Sequence, residues 1–225
     1  MDVFTGAEHD HGSGDVQGRH GHQATLEDGL DFVNTLNFDK GEPTERMPDI
    51  DTAVSWLADH ELLHAGMAED VLSAAREEEA SAARMIQRVH RVRNALRELL
   101  DAAVECRPPE ASALREVNRA LRAPYIYELV PAADGVSLDH RHEGDPVSGA
   151  LARLSETIAR ELTQGDSERL RICANDECRW VFHDFSPAGR RKWCDMTTCG
   201  NRAKAARHRE RQKQKSESEA AELLA

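Results

Sequence analysis

The chain has 225 residues, 40% of them hydrophobic and 31% charged, with 29 Lys plus Arg against 41 Asp plus Glu and a formal charge of −12. It shows no apolar run long enough to cross a bilayer and no charged-then-apolar leader, so a membrane role is excluded from the reading and a reducing cytoplasmic, nucleoid-associated setting is expected. The charge is segregated: residues 167–215 carry 13 basic and 6 acidic side chains, net +7, which leaves 16 basic and 35 acidic, net −19, for the remainder. Such asymmetry marks a nucleic-acid-binding segment joined to a part that does not bind polyanions.

Residues 1–24, rich in Gly, His and Asp without an apolar period, read as a disordered arm. Metal binding by His9, His11, His20 and His22 would oppose the ordering entropy of an unstructured chain, so a solvated arm is the expectation. Residues 25–165 are long enough for a single cored domain. Thr25 with Asp28 signals a helix start, and Leu26, Leu30, Val33 and Leu36 continue at helical spacing to a break at residues 39–43. A second helix is expected after Asp51, with Val54, Trp56, Leu57 and Leu62 apolar. Met85, Val89, Val92, Leu96, Leu99 and Ala103 recur three or four apart and predict a long amphipathic helix ending before Cys106, a lone semi-buried thiol, and the stop at Pro108-Pro109. Another helix over 110–121 turns Leu114, Val117 and Leu121 inward. Residues 125–130 and 136–140 flank an Ala-Asp-Gly turn, the one hairpin signal in this domain. Helix returns over 147–163, and Gly165-Asp166 reads as a hinge.

Asn34, Thr35 and Arg46 form a polar cluster that suits a small-molecule pocket, with Arg46 placed for a carboxylate or phosphate. The competing reading is that Asn34 and Thr35 brace a turn while Arg46 pairs with a nearby acid. There is no Gly-rich phosphate loop, no His-Glu-x-x-His and no nucleophile elbow, so a non-enzyme is expected and a pocket enzyme is the lesser alternative.

Cys173, Cys178, Cys194 and Cys199 form two C-x4-C pairs fifteen residues apart, the spacing of two knuckles around a tetrahedral zinc ion. Disulfides are the alternative, disfavoured in a reducing compartment. Residues 179–183 alternate as a strand, residues 186–189 read as a turn, and residues 190–193 return as a second strand. So small a module cannot fold on apolar burial alone; Trp180, Phe182 and Trp193 are its expected miniature core, with structural zinc supplying the rest. A helix beginning at the second ligand pair makes the arrangement treble-clef-like, with a plain ribbon as the alternative. The fold class is therefore mainly α (α+β): a helical domain with one small β-hairpin, then a zinc finger over residues 168–213 ending in a basic helix, and a flexible tail over 214–225.

The basic helix has cations on nearly every face and little apolar surface. Asn and Arg read adenine and guanine edges bidentately, while scattered Lys and Arg hold phosphates. Arg190, Arg191, Lys192, Asn201, Arg202, Lys204, Arg207, His208, Arg209 and Arg211 are the candidate contacts to double-stranded DNA. RNA binding, partner docking and a merely solvated helix are the rival readings. RNA is disfavoured because the aromatics are expected in the core rather than exposed for stacking.

The string CANDECRWVFHDFSPAGRRKWCDMTTCGNRAKAARHRER, residues 173–211, resembles the CGNR zinc-finger family, whose name Cys199-Gly200-Asn201-Arg202 spells out. Upstream, LDFVNTLNFDKGEPTERMPD, residues 30–49, resembles the start of the ABATE domain, a stress-induced transcription regulator domain. The resemblance implies a bacterial regulator with a sensor-like domain ahead of a DNA-binding finger. A small-molecule effector and a homodimer are its further expected partners, since one short basic helix rarely specifies a long site.

Overall fold

Thr25 and Asp28 close a capping box at the head of α1 (Leu26–Val33): the Asp28 N–H donates to Thr25 Oγ1 at 3.1 Å and the Thr25 N–H to Asp28 Oδ2 at 2.8 Å. The computed structural model describes residues 24–39, 41–132 and 135–223; the His-rich arm and the Ala133-Asp134 turn lie outside the described residues. α1 stops three residues before the predicted Leu36. The chain folds back instead as β1 (Leu36–Asp39) against β2 (Glu42–Glu45), turning at Gly41 with φ +86°. This hairpin was not legible, because four-residue strands are too short to show an alternation. α2 (Ile50–Asp59) begins two residues before the predicted site, capped by Asp49, which accepts from the Thr52 N–H at 2.9 Å.

α3 (Ala65–Glu77) has no counterpart in the sequence reading, since only Val71 and Ala75 of it are buried and the apolar stripe is faint. One extended residue, Glu78, separates it from α4 (Glu79–Val104). α4 is the central helix, packed against α1, α2, α3, α5 and α6. Its Val89, Leu96 and Leu100 are wholly buried, each worth roughly 1.5–3 kcal/mol relative to exposure. α4 ends at an exposed Cys106 with φ +53°, not the semi-buried thiol expected, and the following Arg107 N–H caps the Ala102 carbonyl at 3.0 Å. In α5 (Ala111–Ala120) the phase differs from the one read: Ala113 and Val117 face inward and Leu114 is 42% exposed. α5 packs on α4, and Ala113 and Val117 supply its buried face while Leu114, one position further round, falls outside it.

β3 (Tyr125–Ala132) and β4 (Gly135–His142) pair in antiparallel register from Tyr125↔His142 to Ala132↔Gly135, somewhat longer than predicted. α6 (Pro146–Gln164) follows, with Val147, Ala150, Leu151, Leu154 and Ile158 buried. At Gly165-Asp166 the chain makes a bonded bend, the Gly165 N–H meeting the Arg160 and Glu161 carbonyls at 3.1 Å each, rather than a free hinge.

The finger contains one further hairpin, and its pairing differs from the one read. β6 (Val181–His183) pairs with β5 (Leu170–Ile172), upstream of the first cysteine, while residues 190–193 form no strand. The sequence pairs two segments lying between the cysteine pairs; β6 falls within the first of them, residues 179–183, but its partner β5 lies upstream of Cys173 and, at three residues, is too short to show an alternation. Leu170 and Val181 are fully buried in the same core as α1 and α4. Phe182 is buried, whereas Trp180 and Trp193 are half-buried, so the finger's interior is shared with the helical domain rather than self-contained. After a π-helical turn (Met196–Gly200), α7 (Asn201–Leu223) continues as helix through most of the segment expected to be a flexible end. Ala220 and Ala221 with neighbouring glutamates are good helix formers that extend a nucleus already made. Among the described residues, no helix is long and apolar enough to cross a membrane.

Candidate metal centre and nucleic-acid interface

The β5–β6 connection delivers the first cysteine pair. The Cys173 N–H donates to the Trp180 carbonyl at 2.8 Å, and the Cys178 and Arg179 N–H groups both reach the Asn175 carbonyl, at 2.8 and 3.2 Å. Arg179 closes this knuckle with φ +53°, and the Asn175 side-chain amide points at Cys199 Sγ, 3.6 Å away. The second pair spans the helical turn before α7. Asp195 caps that turn by accepting from the Thr198 N–H at 2.8 Å and the Thr197 hydroxyl at 2.6 Å. The Thr197 and Thr198 hydrogen bonds hold its carboxyl below the usual range.

All four sulfurs lie within 4.8 Å of one another, with Cys178–Cys194 and Cys194–Cys199 each at 3.8 Å. A tetrahedral zinc ion with zinc–sulfur bonds of about 2.3 Å sets sulfurs about 3.8 Å apart. A disulfide needs about 2.05 Å, so none is formed here. Without metal, burial pushes the Cys178 thiol up to about 11 and the Cys194 thiol higher still. Burial acts the same way on Cys199, but hydrogen bonds from Asn175 and the other thiols outweigh it and lower that thiol. A dication replaces the protons such a cluster otherwise keeps. The residues fit structural zinc, held by Cys173, Cys178, Cys194 and Cys199; the ion supplies a rigid crosslink between hairpin and helix.

Asp184 organises the segment between the knuckles. Wholly buried, it accepts from the Ser186 N–H at 3.0 Å and the Arg191 N–H at 2.8 Å, while Arg169 donates to the Asp184 and Ser186 carbonyls at 3.1 and 2.8 Å. The Ser186 side chain, with the Arg191 and Ser186 backbone, holds the Asp184 carboxyl down to about 2, against an ordinary 3.8. A depressed folded value contributes stability in full above about pH 5; it declines below the unfolded value and is gone as pH falls through about 2. The hydrogen-exchange protection factor over residues 184–191, taken against the intrinsic exchange rate at each pH, is therefore expected to fall on acidification from pH 6 to 3. In Asp184→Asn protection should start low and change little; an equal pH response of the protection factor in both proteins would remove this role.

Three ties seat the finger on the helical domain. The buried Asn34 side chain brackets one residue of β6, its Nδ2 donating to the Val181 carbonyl at 2.8 Å and its Oδ1 accepting from the Val181 N–H at 2.9 Å. Arg97 of α4 donates to the Arg179 carbonyl at 2.9 Å, and the Arg179 guanidinium sits 5.2 Å from the Phe38 ring centroid. Of the residues picked for a ligand pocket, Asn34 thus binds the finger. Thr35, also buried, donates to the Phe32 carbonyl at 2.7 Å and accepts from Arg93 at 3.2 Å. Arg46 is exposed, its N–H donating to the Thr35 carbonyl at 3.0 Å. Sequence reasoning missed Arg93, 2% exposed on α4 and bound bidentately to Glu45 at 2.6 and 2.5 Å. A single cation inside a helix that is charged on its other faces carries no mark of burial.

The candidate DNA contacts fall into two groups. Arg190, Lys192, Asn201, Arg202, Lys204, His208, Arg209 and Arg211 are exposed. Arg191 is partly buried, its guanidinium bonded to the Cys194 carbonyl and 5.1 Å from the Phe182 centroid, and exposed Arg207 lies 5.9 Å from the Trp193 centroid. Asn201 donates to the Thr197 carbonyl at 3.0 Å, across the junction of the metal turn and α7. Beyond that turn, no element among the described residues packs substantially on α7. One finger aromatic departs from expectation: Phe185 is 75% exposed, tilted against His183 at 4.3 Å.

Residues 169–212 match the family model described as "CGNR zinc finger", and residues 29–165 match the one described as "Putative stress-induced transcription regulator", the ABATE domain. No curated protein matches the chain. With that second match covering more than half of its length, and the metal centre falling inside the first, the chain belongs to the ABATE-domain family of transcription-regulator type and carries a CGNR zinc finger behind that domain.

Proposed function

We propose that the protein is a sequence-specific DNA-binding transcriptional regulator. In this reading zinc fixes the origin of α7, the first turns of α7 (Asn201, Arg202) read base edges in the major groove, and Arg190, Lys192, Lys204, Arg207, His208, Arg209 and Arg211 hold phosphates. Arg191 acts indirectly, by holding the second knuckle against Phe182. The helical domain senses a small ligand or mediates dimerisation. The observation that carries the reading is a cationic helix anchored at a metal centre and otherwise left uncovered.

Selection of genomic fragments by the zinc-loaded protein is expected to enrich one motif. If about six phosphates are neutralised, affinity for that site falls roughly a thousandfold between 50 and 200 mM salt; binding indifferent to salt would sink the proposal. Exposed Phe185 supports a second reading, stacking on single-stranded RNA. Phe185→Ala separates the two, since it costs about 1–3 kcal/mol of single-strand affinity if the ring stacks and leaves duplex binding near its original value.

A further inference from the structure

Four of the 16 basic residues outside the finger converge on one cleft. It opens between α4, α5 and the start of α6, has a volume of about 530 Å³, and is edged by Arg88 and Arg91 of α4 with Arg119 and Arg122 at the end of α5. Val92, Ala120 and Leu151 make an apolar floor. Three acids, Glu116, Glu143 and Asp145, share the lining with the four arginines and do not saturate them. Glu116 is shared between Arg91, at 3.7 Å, and Arg119; Asp145 and Ser148 take Arg88. Arg122 is exposed and has no ion-pair partner among the described residues. In a region whose net charge is −19, this is a local concentration of guanidinium groups over a hollow of ligand size.

Guanidinium forks match carboxylate and phosphate oxygens, and an apolar floor selects for carbon behind the charge. We propose that the cleft binds an amphipathic organic anion: an oxyanion head at Arg91, Arg119 and Arg122, with an aromatic or short aliphatic body on Val92 and Leu151. Its two main walls are also the helices on which the finger sits. α4 runs on to Arg97, which holds the Arg179 carbonyl, and α6 runs on to Glu161, 3.4 Å from His183 of β6. An occupant therefore bears on both supports of the metal centre. The inference rests on the sensing part of the proposed function, but its test contains no DNA, so each can fail alone.

The test is calorimetric titration of the full-length zinc-loaded protein with 2-naphthoate, 2-naphthyl phosphate, neutral 2-naphthamide and inorganic phosphate. One or both charged naphthyl compounds are expected to bind, the stronger identifying the head group, with the amide and inorganic phosphate weaker by about tenfold or more. Arg122→Gln, on an exposed side chain, should weaken binding by roughly tenfold. Ala120→Phe should abolish it by filling the floor. No binding of either naphthyl anion at about 1 mM, equal binding of the amide, or affinity unchanged in Arg122→Gln overturns the proposal.

Discussion

Replacing Cys194 by serine, or stripping the metal with a chelator, is expected to abolish stoichiometric zinc and release α7 while the helical domain stays folded. Structural zinc contributes about 10–16 kcal/mol in small finger peptides, far more than the few apolar contacts of residues 185–200 supply. The β5–β6 hairpin does not share that dependence, because Leu170 and Val181 lie in the core of the helical domain and Asn34 holds the Val181 backbone. Where the sequence makes zinc the main support of the whole module, the structure divides it. Hydrogen-exchange mass spectrometry of the metal-free protein should show residues 185–215 fully exchanged, with β5, β6 and α4 still protected. Protection of residues 185–200 without metal would contradict the assignment of zinc as their main support, and collapse of all segments together would contradict the division.

Asn34→Ala should be the most damaging single change away from the metal. It leaves a buried N–H and a buried carbonyl of Val181 without partners, at about 1–3 kcal/mol each, and so costs roughly 2–6 kcal/mol in total. For a chain of this size each kcal/mol lowers Tm by about 2–4 °C, which places the fall at roughly 4–24 °C. Zinc content should remain one per chain, because the Asn34 side chain is bonded to Val181 and not to a zinc ligand. A Tm within about 2 °C of the parent would show that the bracket is not what seats the finger.

Legibility in the sequence followed how much chain each feature engages. The four cysteines, the capped start of α1 and the long stripe of α4 each depend on spacing over many residues, and the structure places them where they were read. Features set by a single tertiary contact were not legible. The face that α5 turns to the core carries Ala113 and Val117 rather than Leu114, and β6 pairs upstream because Leu170 and Val181 have a core to enter. Asn34 and Thr35 were singled out as a polar pair at a helix end, which they are. What they face is a residue of β6 and a buried arginine, 147 and 58 residues away. The anion cleft is not legible because its arginines come from two separate stretches, 88–91 and 119–122, and look in each like an ordinary solvated helix face.

The shared interior also governs how this protein can be dissected. A fragment cut at residue 168 would keep every zinc ligand and every candidate DNA contact, yet it would expose Leu170 and Val181 along with a β6 residue stripped of its bracket. Such a fragment is expected to self-associate through that face, and its measured affinity for DNA would report an aggregate. Exchange of fingers between relatives meets the same constraint: a transplanted finger needs the matching surface of α1 and α4, so the portable unit is larger than its metal site.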